Sequence, residues 1–257
     1  MRNEMHISKL VVAFDMKISY CEKDELWSNS MQTFIEEYIE IETNLRNHRQ
    51  RSQLMAQLLA KYPDIGQTSF DDLLIMLDAL QRNQTKIRMP FFAQVMYPVL
   101  QQEITSGNPR AMKVMLQHTT LLNNYNIMLK IYDGYSAMAL IRRYLHHEPD
   151  DRDILTQKGT LLQKTLNHAV HELPLGVLYG MDGATTDECL KLLELLEEYK
   201  STCQKLQIDR SVDVGYYAMH FQGYQDYLFH RHLYKNYLDY IHQHNLELRT
   251  VPHYHFT

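Results

Sequence analysis

The chain has 257 residues, only nine glycines and seven prolines, and a formal net charge of -5. That length can bury a sizeable core without disulfides, and the low glycine and proline content argues against a loop-rich or disordered chain. The acidic balance gives no general attraction to nucleic acid or to anionic lipid, and steers a basic partner towards the surface.

Cys21, Cys189 and Cys203 are the only cysteines. Their odd number, and the four helical turns between the last two, point to thiols in a reducing compartment. The apolar run Lys9–Phe14 is cut short by Asp15 and Lys17, with no small-residue cleavage site after it. The expectation is a cytoplasmic chain without a signal peptide. No apolar run approaches the roughly 18 residues of a membrane span.

In chain order, residues 1–24 read equally as a strand pair or a first helix. Leu26–Asn44 is helical, with Trp27, Met31, Phe34, Ile35, Tyr38 and Ile41 on one face. Trp27 is expected in the core. Leu45–Lys61 is the next helix, and its Arg46, His48, Arg49 and Arg51 read as a solvated face. Ser69 offers an N-cap for Phe70–Arg82. Phe91–Thr105 and Pro109–Leu122 make an αα-hairpin around Ser106-Gly107-Asn108-Pro109, with Asn108 as cap and Pro109 in the first helical position. Tyr125–His147 reads as one long helix interrupted by Gly134. Glu148-Pro149 stops it, and Asp150 or Asp151 caps Arg152–Leu173.

Leu173–Ala184 is the most irregular stretch and reads as a helix connector whose glycines supply turns. Thr185 and Glu188 then form a capping box for a helix to Lys205. That helix turns Cys189, Leu192, Leu193, Leu196 and Tyr199 inward, and Asp187, Glu188, Glu194, Glu197 and Glu198 outward. The last helix is expected from about Val212 to His244, with His220, Tyr224, Tyr227, Arg231, Tyr234, Leu238 and Ile241 in one stripe. The tail 246–257 is expected to be extended.

The fold class implied is all-α: one helical domain over 1–257, with a soft boundary near 83–90, built as an irregular α-solenoid or a two-layer bundle of antiparallel hairpins. No phosphate-binding glycine loop, nucleophile elbow or His-Glu-x-x-His is present. The one metal-like spacing is His168-x-x-His171-Glu172, which a helix would gather on one face, with His146 and His147 nearby. It supports an alternative, a metal-dependent enzyme with a helical His/Glu site. Seven histidines follow residue 219, among them His230, His232, His253 and His255, and read as a polar aromatic surface. Tyrosines supply contact area at low entropic cost, so Tyr224, Tyr227 and Tyr234 are candidate partner contacts as well as candidate core.

The segments Tyr97-Pro98-Val99-Leu100 and Gly107-Asn108-Pro109-Arg110-Ala111 resemble helical-hairpin repeat proteins. In architecture, size and acidity the chain resembles the all-helical immunity proteins that bacteria encode beside secreted toxins. The resemblance implies a non-enzymatic protein-binding module without cofactor, which blocks a basic toxin domain sterically and binds neither nucleic acid nor membrane. The expected contacts are Asp187, Glu194, Glu197 and Glu198 with Tyr224, Tyr227 and Tyr234.

Overall fold

The computed structural model describes residues 29–44, 47–129 and 136–249. Expectations for residues 1–24, Trp27, Cys21, Gly134 and the tail beyond Arg249 lie outside them. The protein is all-α: among the described residues the sheet is one two-stranded ribbon. Among the described residues no helix is long and apolar enough to cross a membrane. The chain divides into two compact units, residues 1–107 and 108–257. The two helices of the expected Phe91–Leu122 hairpin both form, and the division falls in the turn between them.

In the first unit, α1 (Asn29–Asn44) and α2 (His48–Lys61) run antiparallel. Glu37 meets Lys61 and Tyr62 at one end, and Glu42 meets Arg51 at the other. A 3-10 turn, Pro63–Gln67, leads to α3 (Phe70–Arg82), whose N-cap is Ser69, as the sequence indicates. Met89–Phe91 (α4), a π turn at Phe92–Met96 and Tyr97–Thr105 (α5) then run end to end. The reason for the wide turn lies in Pro98. It cannot donate the N–H that Gln94 would accept in an α-helix, and the register slips by one residue, so that Tyr97 N–H donates to the Phe92 carbonyl. The core centres on Phe34, Tyr38 and Phe91, with ring centroids 5.3–6.1 Å apart. Tyr38 keeps its hydroxyl satisfied by donating to the Lys86 carbonyl and accepting from Arg88 N–H.

The second unit opens with α6 (Pro109–Gln117), capped by Asn108, and α7 (Thr119–Leu129). The helix expected to run unbroken to Leu122 ends at Gln117, where His118 leaves helical geometry. A second correction concerns Tyr125–His147. Ser136 accepts from Ala139 N–H and starts a fresh helix, α8 (Ala137–His147).

Three long helices make the body of this unit: α9 (Arg152–Val170), α10 (Thr186–Leu206) and α11 (Ser211–Phe229). Asp151 caps α9 through Asp153 and Ile154 N–H, and also binds Lys113 and the Tyr144 hydroxyl, which ties α6, α8 and α9 together. Helices α9 and α10 are antiparallel: Arg152 reaches the Leu206 carbonyl, and Gly159 faces Thr202. Helix α11 runs back along α10, with Gln225 at the Thr186 carbonyl.

The single last helix expected over 212–244 is two. Helix α11 stops at Phe229, Arg231–Leu233 form a 3-10 turn, and α12 (Tyr237–Gln243) starts on an Asn236 cap. The chain doubles back, and α12 packs on α11 at Gly223. A β-carbon there would stand 2.9 Å from Leu246 Cδ1 and 3.5 Å from the Tyr237 hydroxyl. The close approach of the two helices therefore depends on that missing side chain.

Candidate functional site

One end of the second unit combines three helix termini: the C-termini of α9 and α11 and the N-terminus of α10. Between α9 and α10 the connector forms a small hairpin, β1 (Leu178–Tyr179) against β2 (Asp182–Gly183), with Leu178 opposite Gly183 and Tyr179 opposite Asp182. Its base is fixed. Val177 and Ala184 are buried and joined by a 2.8 Å backbone hydrogen bond. Gly176 lies against Tyr224, whose hydroxyl would stand 3.0 Å from any β-carbon at that position. His168 Nε2 donates to the Gly180 carbonyl at 2.9 Å, and the Lys191 ammonium sits over the Tyr179 ring.

On this anchored base two large apolar side chains point into water. Met181, at the tip, is 89% exposed, and Leu175, before the first strand, is 80% exposed. Gly180 takes the left-handed conformation (φ +66°) that the two-residue tip needs. At the same end, Phe229 closes α11 and Leu233 follows in the 3-10 turn, 65% and 61% exposed. Folding normally removes such groups from water, at about 25 cal/mol per Å² of apolar surface. Leu175 and Met181 on an anchored connector, with Phe229 and Leu233 at the same end of the unit, mark that end as a surface suited to contact.

The outward face of α10 starts beside this hairpin. Asp187, Glu194 and Glu197 are exposed along it, with Leu190 between them. Glu197 meets Lys200 at 3.4 Å. Glu198 points the other way and does not belong with them. It receives Arg142 Nε at 3.0 Å and sits 2.8 Å from Lys158 Nζ, which bridges α8, α9 and α10. The hydrogen bond from Arg142, followed by that from Lys158, outweighs partial burial and lowers its carboxyl to about pKa 2.

The tyrosine stripe also divides. Tyr224 and Tyr227 are only 9% and 6% exposed. Tyr227 is ringed by Tyr224, Tyr237 and Tyr240 at 5.3–6.1 Å. Both are core side chains because α12 folds back over α11, and neither offers surface to a partner. Tyr234 is half-buried and shares a hydrogen bond with His244 Nε2 at 3.0 Å. His220, expected at the surface with the other late histidines, is fully buried and donates from Nε2 to the Glu247 carbonyl at 2.8 Å.

His168, His171 and Glu172 are neighbours, but not in the arrangement their spacing suggests. Helix α9 ends at Val170, so Glu172 leaves the helical face. The two imidazoles stack at 4.9 Å. His168 Nε2 is held by Gly180, His171 Nδ1 donates to the His168 carbonyl, and Glu172 meets His171 Nε2 at 2.9 Å. One of these nitrogens thus holds the hairpin at its Gly180 turn and the others are spent on local partners, rather than converging on a point. Among the described residues no three His, Cys, Asp or Glu side chains are placed to hold one ion.

Comparison with protein-family models, curated proteins and solved structures gave no match.

Two features escape the sequence reading. The exposed apolar end was hidden in the connector over 173–184, where Leu175 and Met181 look like ordinary loop residues beside glycines. The Arg142–Glu198–Lys158 bridge joins residues 40 and more positions apart, and no local pattern marks it. The available signal was the excess of carboxylates on α10, which leaves one to be partnered by another helix.

Proposed function

We propose that this chain is a non-enzymatic protein-binding module, in its most specific form an immunity protein that covers a basic toxin domain. The observation that carries the reading is the exposure of Leu175 and Met181 on a hairpin pinned from below by Val177, Ala184 and Tyr224. Apolar side chains on a rigid base bind at low entropic cost, since little order remains to be gained. The neighbouring Asp187, Glu194 and Glu197 supply the charge that speeds encounter with a basic partner. The contact set is therefore Leu175, Met181, Phe229 and Leu233 with these three carboxylates and the accessible part of Tyr234.

The test is affinity capture with the intact chain and with a Leu175→Ser, Met181→Ser double variant. Because both side chains are exposed, the variant should melt within about 0.5 kcal/mol of the parent. The expected result is a stoichiometric partner held by the parent and lost by the variant. The specific form further requires that this partner, expressed alone, arrests growth and is rescued by co-expression. A partner retained equally by both proteins refutes the site, and a partner harmless when expressed alone refutes the immunity form.

A further inference from the structure

At the opposite end of α9 and α10, a cavity of about 300 Å³ opens between the last turns of α8, the start of α9 and the end of α10. Its lining holds Arg142, His146, Lys158, Ser201 and Lys205, with Leu145, Pro149 and Leu155 as an apolar wall. In a chain of net charge -5, the convergence of three fixed cations on one hollow runs against the overall balance.

The carboxylates around it do not cancel that charge. Glu198 serves two of the cations at once, accepting from Arg142 and lying 2.8 Å from Lys158. A guanidinium carries five N–H donors, of which Glu198 engages two. Lys205 donates to the Pro149 carbonyl at 3.1 Å and stands 3.7 Å from Asp150, whose carboxylate is almost wholly in water and screened by it. Glu198 thus answers Arg142 and Lys158 together, and Lys205 has only the solvent-exposed Asp150 and the Pro149 carbonyl, so three cations stand against two carboxylates of which one is screened. A further anion would complete the balance. Arg and Lys donors with a serine hydroxyl are the groups that recognise phosphoryl oxygens, Arg by its planar fork and Lys as a point charge. The volume lies at the small end of ligand sites, and the Leu145–Pro149–Leu155 wall suits an organic group of a few carbons rather than a bare ion.

We infer that this cavity binds a small phosphate monoester, its phosphoryl group held by Arg142, Lys158 and Lys205 beside Ser201.

Isothermal titration calorimetry in phosphate-free buffer at fixed ionic strength tests this, with ribose 5-phosphate and inorganic phosphate as the probes. We expect saturable one-site binding of ribose 5-phosphate, weaker by tenfold or more in Lys205→Glu. Lys205 is half exposed and its Asp150 contact is screened, so this variant should stay folded, melting a few degrees below the parent through the lost Pro149 bond and a carboxylate at the end of α10. Glu198→Gln removes the competing carboxylate and should tighten binding several-fold. Should that variant not fold, Lys205→Glu still decides. Inorganic phosphate binding as tightly as the ester would overturn the ester assignment. Absence of saturable heat with either probe, or an affinity unmoved in a folded Lys205→Glu variant, would overturn the site.

Discussion

Replacing Glu198 with Gln isolates the charge of the carboxylate from its shape. A pKa near 2 in the folded protein, against 4.5 for the ordinary group, corresponds to at most roughly 3 kcal/mol of preference for the ionised form. Arg142 is half in water, so solvent screening reduces this to about 2 kcal/mol. The lowered pKa fixes the sign: the unfolded chain takes up a proton before the folded one does. The contribution is complete above about pH 4.5 and is lost as pH falls towards 2. At pH 7 Glu198→Gln should therefore lower the melting temperature by about 4–8 °C, at about 2–4 °C per kcal/mol for a unit of this size. As pH falls below 4.5, the two proteins should converge, because a protonated glutamate and a glutamine are nearly isosteric. Thermal melts by circular dichroism at intervals from pH 7 to pH 2.5 measure the difference. A gap as wide at pH 3 as at pH 7 would show that packing, and not the charge clamped between Arg142 and Lys158, accounts for the loss.

Two further outcomes concern the interior. Tyr227→Ala should cost about 3 kcal/mol or more in denaturant unfolding, through lost burial and a cavity among Tyr224, Tyr237 and Tyr240, whereas Tyr234→Ala should cost much less. Equal losses would show that the fold-back of α12 does not enclose Tyr227. Cys189 is fully buried, and burial, with Glu188 nearby, pushes its thiol up to about 11. Mass spectrometry after brief iodoacetamide treatment at pH 7.5 should find Cys189 unmodified in the native protein and modified in denaturant.

Helix beginnings were the most legible feature of the sequence. Ser69, Asn108, Asp151 and Thr185 each cap where a short polar side chain precedes an apolar-periodic run, because capping depends only on neighbours within three residues. The reversal at His230–Asn236 was not legible. Tyr224, Tyr227, Tyr234 and Ile241 keep a helical period straight through it, since α11 and α12 both turn their apolar side towards one shared core. The only local sign was Asn236 followed three residues later by Asp239, the cap that starts α12. Among the site residues, the exposure of Asp187, Glu194 and Glu197 follows from the amphipathic pattern. The fate of Glu198, one position further on, depends on which helix lies beside it, and that is decided by the tertiary fold.

The π turn at Phe92–Met96 contains one residue more than an α-helix would use to cover the same rise. It can be regarded as a tolerated insertion whose removal is constrained from both sides. Deleting Ala93 would restore α-helical register and rotate α4 against α5 by about 100°. Phe91 and Phe92, now buried, would leave the face they share with Val99 and Leu100. The same shift would bring the Gln94 carbonyl back beneath Pro98, and Gly66, whose backbone approaches that oxygen closely, would lose the surface to which it is fitted. Length variation in this stretch is therefore open only to paired changes: a shorter segment must also give up Pro98.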